Sequence, residues 1–367
     1  MIDGSMTTPR KRIVLFSHPA GHTTARYFER VLRKESGVDV EYRTVLEDVE
    51  ALGQSPDLFF YVDPTPGHWP VGIEHLTCPT ACYLIDVHQH LDSRLMAARF
   101  FDFVFIAQKD FVPQFAKAGI DASWLPLAAD PEVHHVEGQM RDLEVAFVGQ
   151  LGLRNTRRRE ILTSVLPRFL TNDYRATYAP EDMGRIYSRA KIVFNASING
   201  DLNMRVFEGM AAGALLVTDR IGNGLEDLFE ENTHYVGYSS TGEAIDKIRF
   251  YLRDEAERRK IAGLGQREVV QRHSYARRWA AAAEHIRRGA GQGSYRSALR
   301  DAAPAEITRA YCAMFEHLRQ PAQIMALMRT HGVSGTLLKA WARAIARRVN
   351  RRIPLTPGAI RSRLRSA

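Results

Sequence analysis

Apolar and polar positions along the 367-residue chain fall into two successive sets of short strands alternating with helices. Residues 12–16, 57–62, 81–85 and 103–107 are apolar runs closed by turn residues, as strands covered on both faces should be. Residues 38–45 and 123–127 read as further strands. Helical spacing fills the gaps at 23–34, 91–100 and 111–118. Strands alternating with helices predict a parallel, doubly wound sheet. Residues 127–137 hold Pro131 and no clear period, so a linker is expected there. The pattern restarts with strands at 144–148, 174–178, 192–196, 215–218 and 234–238. Helices are expected at 157–170, 181–190, 205–212, 241–252 and 254–272. From residue 274 onward the pattern is helical only, at 275–288, 304–328 and 337–353.

The expected organisation is an N-terminal Rossmann-like unit over residues 11–130, a second over 138–290, and a helical basic extension over 291–367. In such sheets ligands lie beyond the carboxyl ends of the strands. Two sheets facing each other would place that site in a cleft.

Charge changes the picture only at the end of the chain. The formal charge is +8. Residues 335–367 carry nine basic residues and no acid, leaving 41 basic and 42 acidic residues in the rest. A nucleic-acid-binding body would spread its charge over a groove, so that partner is not expected. In the tail, Leu337, Leu338, Trp341, Ile345, Val349 and Ile353 recur at helical spacing among Lys339, Arg343, Arg347, Arg348, Arg351 and Arg352. This pattern suits either an anionic membrane surface or a helix packed on the body with a solvated basic face. Cys78, Cys82 and Cys312 form no CxxC pair, which predicts reduced thiols and a cytoplasmic protein, with peripheral attachment at the inner membrane face left open. No run of about 18 apolar residues occurs. Residues 1–10 lack the apolar core of a secretory signal, and Asp3-Gly4-Ser5-Met6 reads as added sequence ahead of a second start.

The densest chemical signal lies between Ala179 and Gly213, a helix, a strand ending Ile-Val-Phe-Asn-Ala-Ser197, a polar loop, and then Asn203-Met-Arg205-Val-Phe-Glu208-Gly-Met-Ala-Ala-Gly213. The helix begins near Asn203, whose side chain is expected to cap it. Its free N–H groups would stabilise a diphosphate, with Arg205 as a forked donor beside it. Glu208, one turn deeper, would accept the hydroxyls of a ribose. Ala211, Ala212 and Gly213 would let helix and sheet approach closely.

The stretch from Phe207 to Thr218 resembles the nucleotide-sugar signature of family-four-type glycosyltransferases. Asn203-x-Arg205-x-Phe207-Glu208, followed by His273-Ser-Tyr275-x-x-Arg278, resembles the CgeB-like, or spore-maturation-protein-like, glycosyltransferase domain. The resemblance covers residues 144–278; the N-terminal half matches in layout only. It implies a GT-B fold, Glu208 on the nucleotide ribose, Arg205 near the diphosphate, and transfer with retention of configuration. The family's earlier Glu falls here on Gly200, with Asp201 beside it as the stand-in. The family's Arg after the first strand of this half is here Gln150; basic groups follow at Arg154, Arg157 and Arg158, next to Gly149. A His in the loop after the fourth strand is common in the family, and His88 or His90 matches that position.

His18 and His22 flank a Gly-containing turn after the first strand, where either can serve as base on an acceptor hydroxyl. His88 and His90 form an HxH pair, but no third donor stands nearby in sequence, so no metal site is expected. The reading is therefore a metal-independent, cofactor-free glycosyltransferase. It would use a nucleotide-sugar, UDP- or GDP-linked, on a glycan, lipid-linked or protein acceptor. Gly200 and Gln150 motivate the alternative, a GT-B scaffold that binds nucleotide or glycan without catalysis. A nicotinamide oxidoreductase ranks last, because GxGxxG is missing after the first strand.

Overall fold

The computed structural model describes residues 10–18, 24–64, 68–89, 91–138, 140–152, 156–292 and 297–350. The N-terminal half alternates β1 (Lys11–Ser17), α1 (Ala25–Lys34), β2 (Val38–Arg43), β3 (Leu58–Val62), β4 (Thr80–Leu84), α2 (Leu91–Ala98), β5 (Phe103–Ile106), α3 (Val112–Lys117) and β6 (Ala122–Trp124). Its six strands pair in parallel in the order β2-β1-β3-β4-β5-β6. Every residue of β3, β4 and β5 is buried, so apolar runs here mark strands sandwiched between layers rather than half-exposed ones.

The second half runs β7 (Leu143–Ala146), α4 (Arg157–Val165), α5 (Pro180–Arg189), β8 (Ala190–Asn195), α6 (Met204–Ala211), β9 (Leu215–Asp219), α7 (Leu225–Leu228), β10 (Val236–Tyr238), α8 (Thr241–Arg253), α9 (Glu255–Arg272) and α10 (Tyr275–Gln292). Its four strands form a second parallel sheet, β10-β9-β8-β7. The strand expected at 174–178 does not form. The chain turns there, and Thr171 alone bridges to Val145. Thr156, Ser240 and Asp254 cap α4, α8 and α9 with side-chain oxygens on backbone N–H groups, which fixes where each helix starts.

The expected linker carries buried contacts rather than slack chain. Asp130 and His134 are buried within it, and Ala129 bonds the backbone at His273 and Tyr275. The helix α10 then returns to the N-terminal half. The Trp279 indole N–H donates to Glu35, and Arg278 donates to the carbonyls of Pro126 and Leu127. One apolar core therefore runs through both halves.

The extension folds as α11 (Pro304–His317), α12 (Pro321–His331) and α13 (Gly335–Asn350). Leu337, Ala340 and Ala344 of α13 are buried in a core shared with α11 and α2. Arg343 and Arg347 pair with Glu316. Of the expected apolar stripe, Leu337 is buried on the body and Trp341 packs against it, whereas Leu338 and Val349 are exposed; Arg351, Arg352 and Ile353 lie outside the described residues. No described helix is long and apolar enough to cross a membrane. The three cysteines are unpaired and buried.

Candidate functional site

The carboxyl ends of the two sheets face each other, and the loop after β5 joins them. Gln108, Lys109 and Asp110 each bond across: Gln108 Nε2 to Asp201 at 3.1 Å, Lys109 to Asp227, and Asp110 reciprocally with Asn223. These links are polar, the kind that separates more readily than a packed apolar interface.

On the C-terminal side, Arg205 lies inside the protein. Its Nε and Nη2 donate to the Val148 carbonyl at 3.0 and 2.5 Å, Nη1 donates to Asn195 Oδ1 at 2.7 Å, and the guanidinium covers the Phe147 ring at 4.2 Å. The expected free phosphate fork is therefore a brace that ties α6 to the end of β7. Gly149 is explained by the same brace. Its φ is +142°, and a Cβ would stand 2.2 Å from Arg205 Nη2, so the close approach it permits is to Arg205.

Asn203 stands at the N-cap of α6, but its side chain does not cap. It donates instead to Asn195 Oδ1 at 3.1 Å. Asn195 is the stronger claimant because two partners, Asn203 and Arg205, converge on its one carbonyl oxygen. The amides at the start of α6 are left without a side-chain cap. This helix approaches the sheet closely at Gly209, where a Cβ would meet Val193 at 2.7 Å, and Ala211 and Ala212 are fully buried beside it. Gly213 supplies the left-handed exit, at φ +71°.

Glu208 is buried and faces the junction of the halves. Its Oε1 lies 3.6 Å from His134 Nε2 in the linker. His134 Nδ1 accepts the Asp130 N–H, which leaves Nε2 as the protonated nitrogen facing the carboxyl. Burial pushes the Glu208 carboxyl up to about 7, only partly offset by Arg205. Burial likewise depresses His134 to about 4. Tyr27 of α1 stacks on Tyr275 of α10 beside them.

Two basic residues behave differently at the start of α4. Arg158 is buried, lies 5.4 Å over Phe147, and has no hydrogen-bond partner at Nε. Burial, then the neighbouring Arg205, lowers it to about 9. Arg157 is exposed and approaches Asp219 Oδ2 at 3.6 Å. Asp219 in turn accepts from the Ser197 N–H and hydroxyl at the end of β8.

On the N-terminal side, the strand ends carry acidic residues. Asp63 and Asp86 follow β3 and β4 with positive φ, both 51°, the left-handed conformation that short Asp and Asn side chains tolerate in turns. Arg94 pairs with Asp63 at 2.8 Å. His88 sits in the turn after β4, and both ring nitrogens are buried without a hydrogen-bond partner. Its ligand-capable atom lies within 4.8 Å of those of Asp86 and Asp201. Two of these donors are neighbours in the sequence, and the third comes from the other half of the chain. His18 ends β1 with its ring edge-on to His68 at 4.4 Å.

His22, His90 and Arg154 lie outside the described residues. The structure thus groups Asn203, Arg205, Glu208, Gly149, Arg157 and Arg158 around the ends of β7 to β9, and joins Asp201 to His88. Sequence reading missed Gln108, His134, Asp219 and Asn195. Asn195 lies within the 179–213 stretch but drew no role there, and each of the four gains its role from a partner at least 8 residues away.

Comparison with known proteins follows these lines. No curated protein matches the sequence. Residues 139–284 match a family model described as glycosyl transferase-like. HepE from Anabaena, solved with UDP and glucose, is 14% identical with a TM-score of 0.56, covering 75% of this chain and 100% of its own. Sucrose-phosphate synthase from Thermosynechococcus elongatus is 11% identical with a TM-score of 0.54, covering 77% and 100%. An alpha-glucosyltransferase, solved with UDP-glucose and DNA containing an abasic site, is 11% identical with a TM-score of 0.55, covering 76% and 99%. The fold is therefore that of the GT-B glycosyltransferases, two Rossmann-like sheets with their carboxyl ends opposed.

Proposed function

We propose that the protein is a nucleotide-sugar glycosyltransferase with its donor held on the C-terminal half. The observation that carries this is the conjunction at the ends of β7 to β9. Uncapped α6 amides, a buried Arg158 whose Nε has no partner, and a buried carboxyl at Glu208 meet within the segment that matches the glycosyl transferase-like family. The amides and Arg158, with Arg157 at the rim, suit the donor diphosphate. Glu208, whose Oε1 has no hydrogen-bond partner, suits ribose hydroxyls. Neighbours solved with UDP and UDP-glucose are in keeping with a uridine donor.

In this reading the leaving nucleoside diphosphate develops charge that Arg158, Arg157 and the α6 dipole offset, with no metal on the phosphates. Arg205 acts through the Val148 end rather than on phosphate. Opening and reclosure at the Gln108–Asp110 contacts admit substrates and then exclude water. The acceptor, a glycan, lipid-linked or protein hydroxyl, enters beside His18 and His88, with His18 or His22 as base and retention expected from the CgeB-like resemblance. The solvated face of α13, with Lys339 and Arg348, would hold the enzyme at an anionic inner-membrane surface in the cytoplasm. We also propose the division at residues 11–130, 138–290 and 291–367.

The test is thermal shift with UDP-, GDP-, dTDP- and CMP-sugars, followed by transfer and hydrolysis assays with any donor that binds. A donor that binds the native state raises the melting temperature by mass action. No shift with any of the four sinks the assignment. Binding without turnover would favour the second reading, a non-catalytic nucleotide-binding scaffold. The engagement of Arg205 by Val148 and Asn195 is the observation on its side.

A further inference from the structure

Three donor atoms of different chemistry converge where the halves meet: a carboxylate oxygen of Asp86, an imidazole nitrogen of His88 and a carboxylate oxygen of Asp201, all within 4.8 Å of one another. We propose that Asp86, His88 and Asp201 form a binding site for one divalent transition cation that clasps the two halves of the molecule together.

Two observations bear on it. First, both His88 nitrogens are buried and make no hydrogen bond. Such a nitrogen costs free energy unless a ligand meets it. Second, Asp201 is 7% exposed, and its Oδ1 is held by Gln108. The same Gln108 amide accepts the Val87 N–H through Oε1 at 3.2 Å. One side chain thus ties Asp201 to the backbone between Asp86 and His88, the work that outer partners of metal ligands do.

The distances are right for an ion with small adjustments. Ligand atoms about 2.1 Å from a common centre stand about 3–4 Å apart, so each of these three would travel less than about 1 Å. Two carboxylates and one imidazole suit a cation of intermediate softness such as Mn2+ or Zn2+. Three protein atoms leave coordination positions open, which a sugar hydroxyl in the cleft can take. The inference goes beyond the proposed transferase activity and does not need it, because the ligands are all supplied by the chain.

The experiment is isothermal titration of the chelator-treated full chain with Mn2+ and with Zn2+, in the absence of nucleotide, which would itself bind the metal. One equivalent per chain of at least one of the two ions is expected, together with a rise in melting temperature. His88→Ala and Asp201→Asn, each checked for a native circular dichroism spectrum, should each weaken binding tenfold or more. Asp86→Asn should do the same, and substitutes for either variant that fails to fold. Glu208→Gln should bind the ion as the wild type does. Failure of both ions to bind stoichiometrically overturns the proposal, as does wild-type affinity in either folded variant of the pair tested. Neither of those results touches nucleotide-sugar binding, which the donor titrations read separately.

Discussion

At the ends of β7 to β9, most charged side chains are committed to partners: Arg205 to Val148 and Asn195, and Asp219 to Ser197. At the ends of β3 to β5 Asp63 pairs with Arg94, but His88 keeps both nitrogens unpartnered. The first set resembles a socket built before any ligand arrives, which limits the reorganisation cost of binding. The second meets the first through Gln108 and Asp201. A residue's charge and proximity to a cleft therefore do not define its role. Arg205 and Arg158 are close neighbours, yet one is a structural brace and the other has a donor to spare.

Breaking the brace should have the largest effect. Arg205→Ala leaves the Val148 carbonyl and Asn195 without their donor, and should lower unfolding free energy by about 3 kcal/mol in chemical denaturation. A variant as stable as wild type would show that the guanidinium is held for a ligand after all. Gly149→Ala attacks the same contact from the other side. Steric conflict with Arg205 and the φ of +142° should cost about 2 kcal/mol.

Glu208 sharpens the comparison through pH. Its folded carboxyl titrates near 7, above the ordinary value of 4.5. The unfolded chain therefore gives up this proton first as pH rises. The contribution to stability is full below about pH 4.5 and falls away through pH 7, by on the order of 2–3 kcal/mol. Glu208→Gln should remove that slope in melts across pH 4.5 to 8, and weaken donor binding about tenfold at constant fold. An unchanged slope would mean the carboxyl is already ionised within the protein.

Arg158→Ala should leave stability nearly unchanged, since its Nε has no partner, while donor affinity falls roughly tenfold and becomes less sensitive to salt. The smallest effect belongs to Arg157→Ala. The side chain is 65% exposed, so stability should move by no more than about 0.5 kcal/mol, read from paired denaturation curves. A larger loss there than at Arg158 would reverse the assignment of inner and outer arginine.

Local chemistry was enough to fix the two sheets, most strand positions and the helix that carries Arg205 and Glu208. Buried parallel strands are continuous apolar runs, and helices are periodic within a dozen residues, so both are written in neighbouring positions. The weak run at 174–178 turns instead, and pairing on the open edge of β7 is reduced to the single bridge from Thr171 to Val145. Tertiary structure alone decided the rest. It turned Arg205 inward onto Val148, drew Asn203 off the cap to Asn195, set His134 against Glu208, and brought Asp201 to Asp86 and His88 from more than a hundred residues away in the chain. Those choices depend on which polar atoms remain unsatisfied once the sheets are stacked, and that balance exists only after the chain has folded.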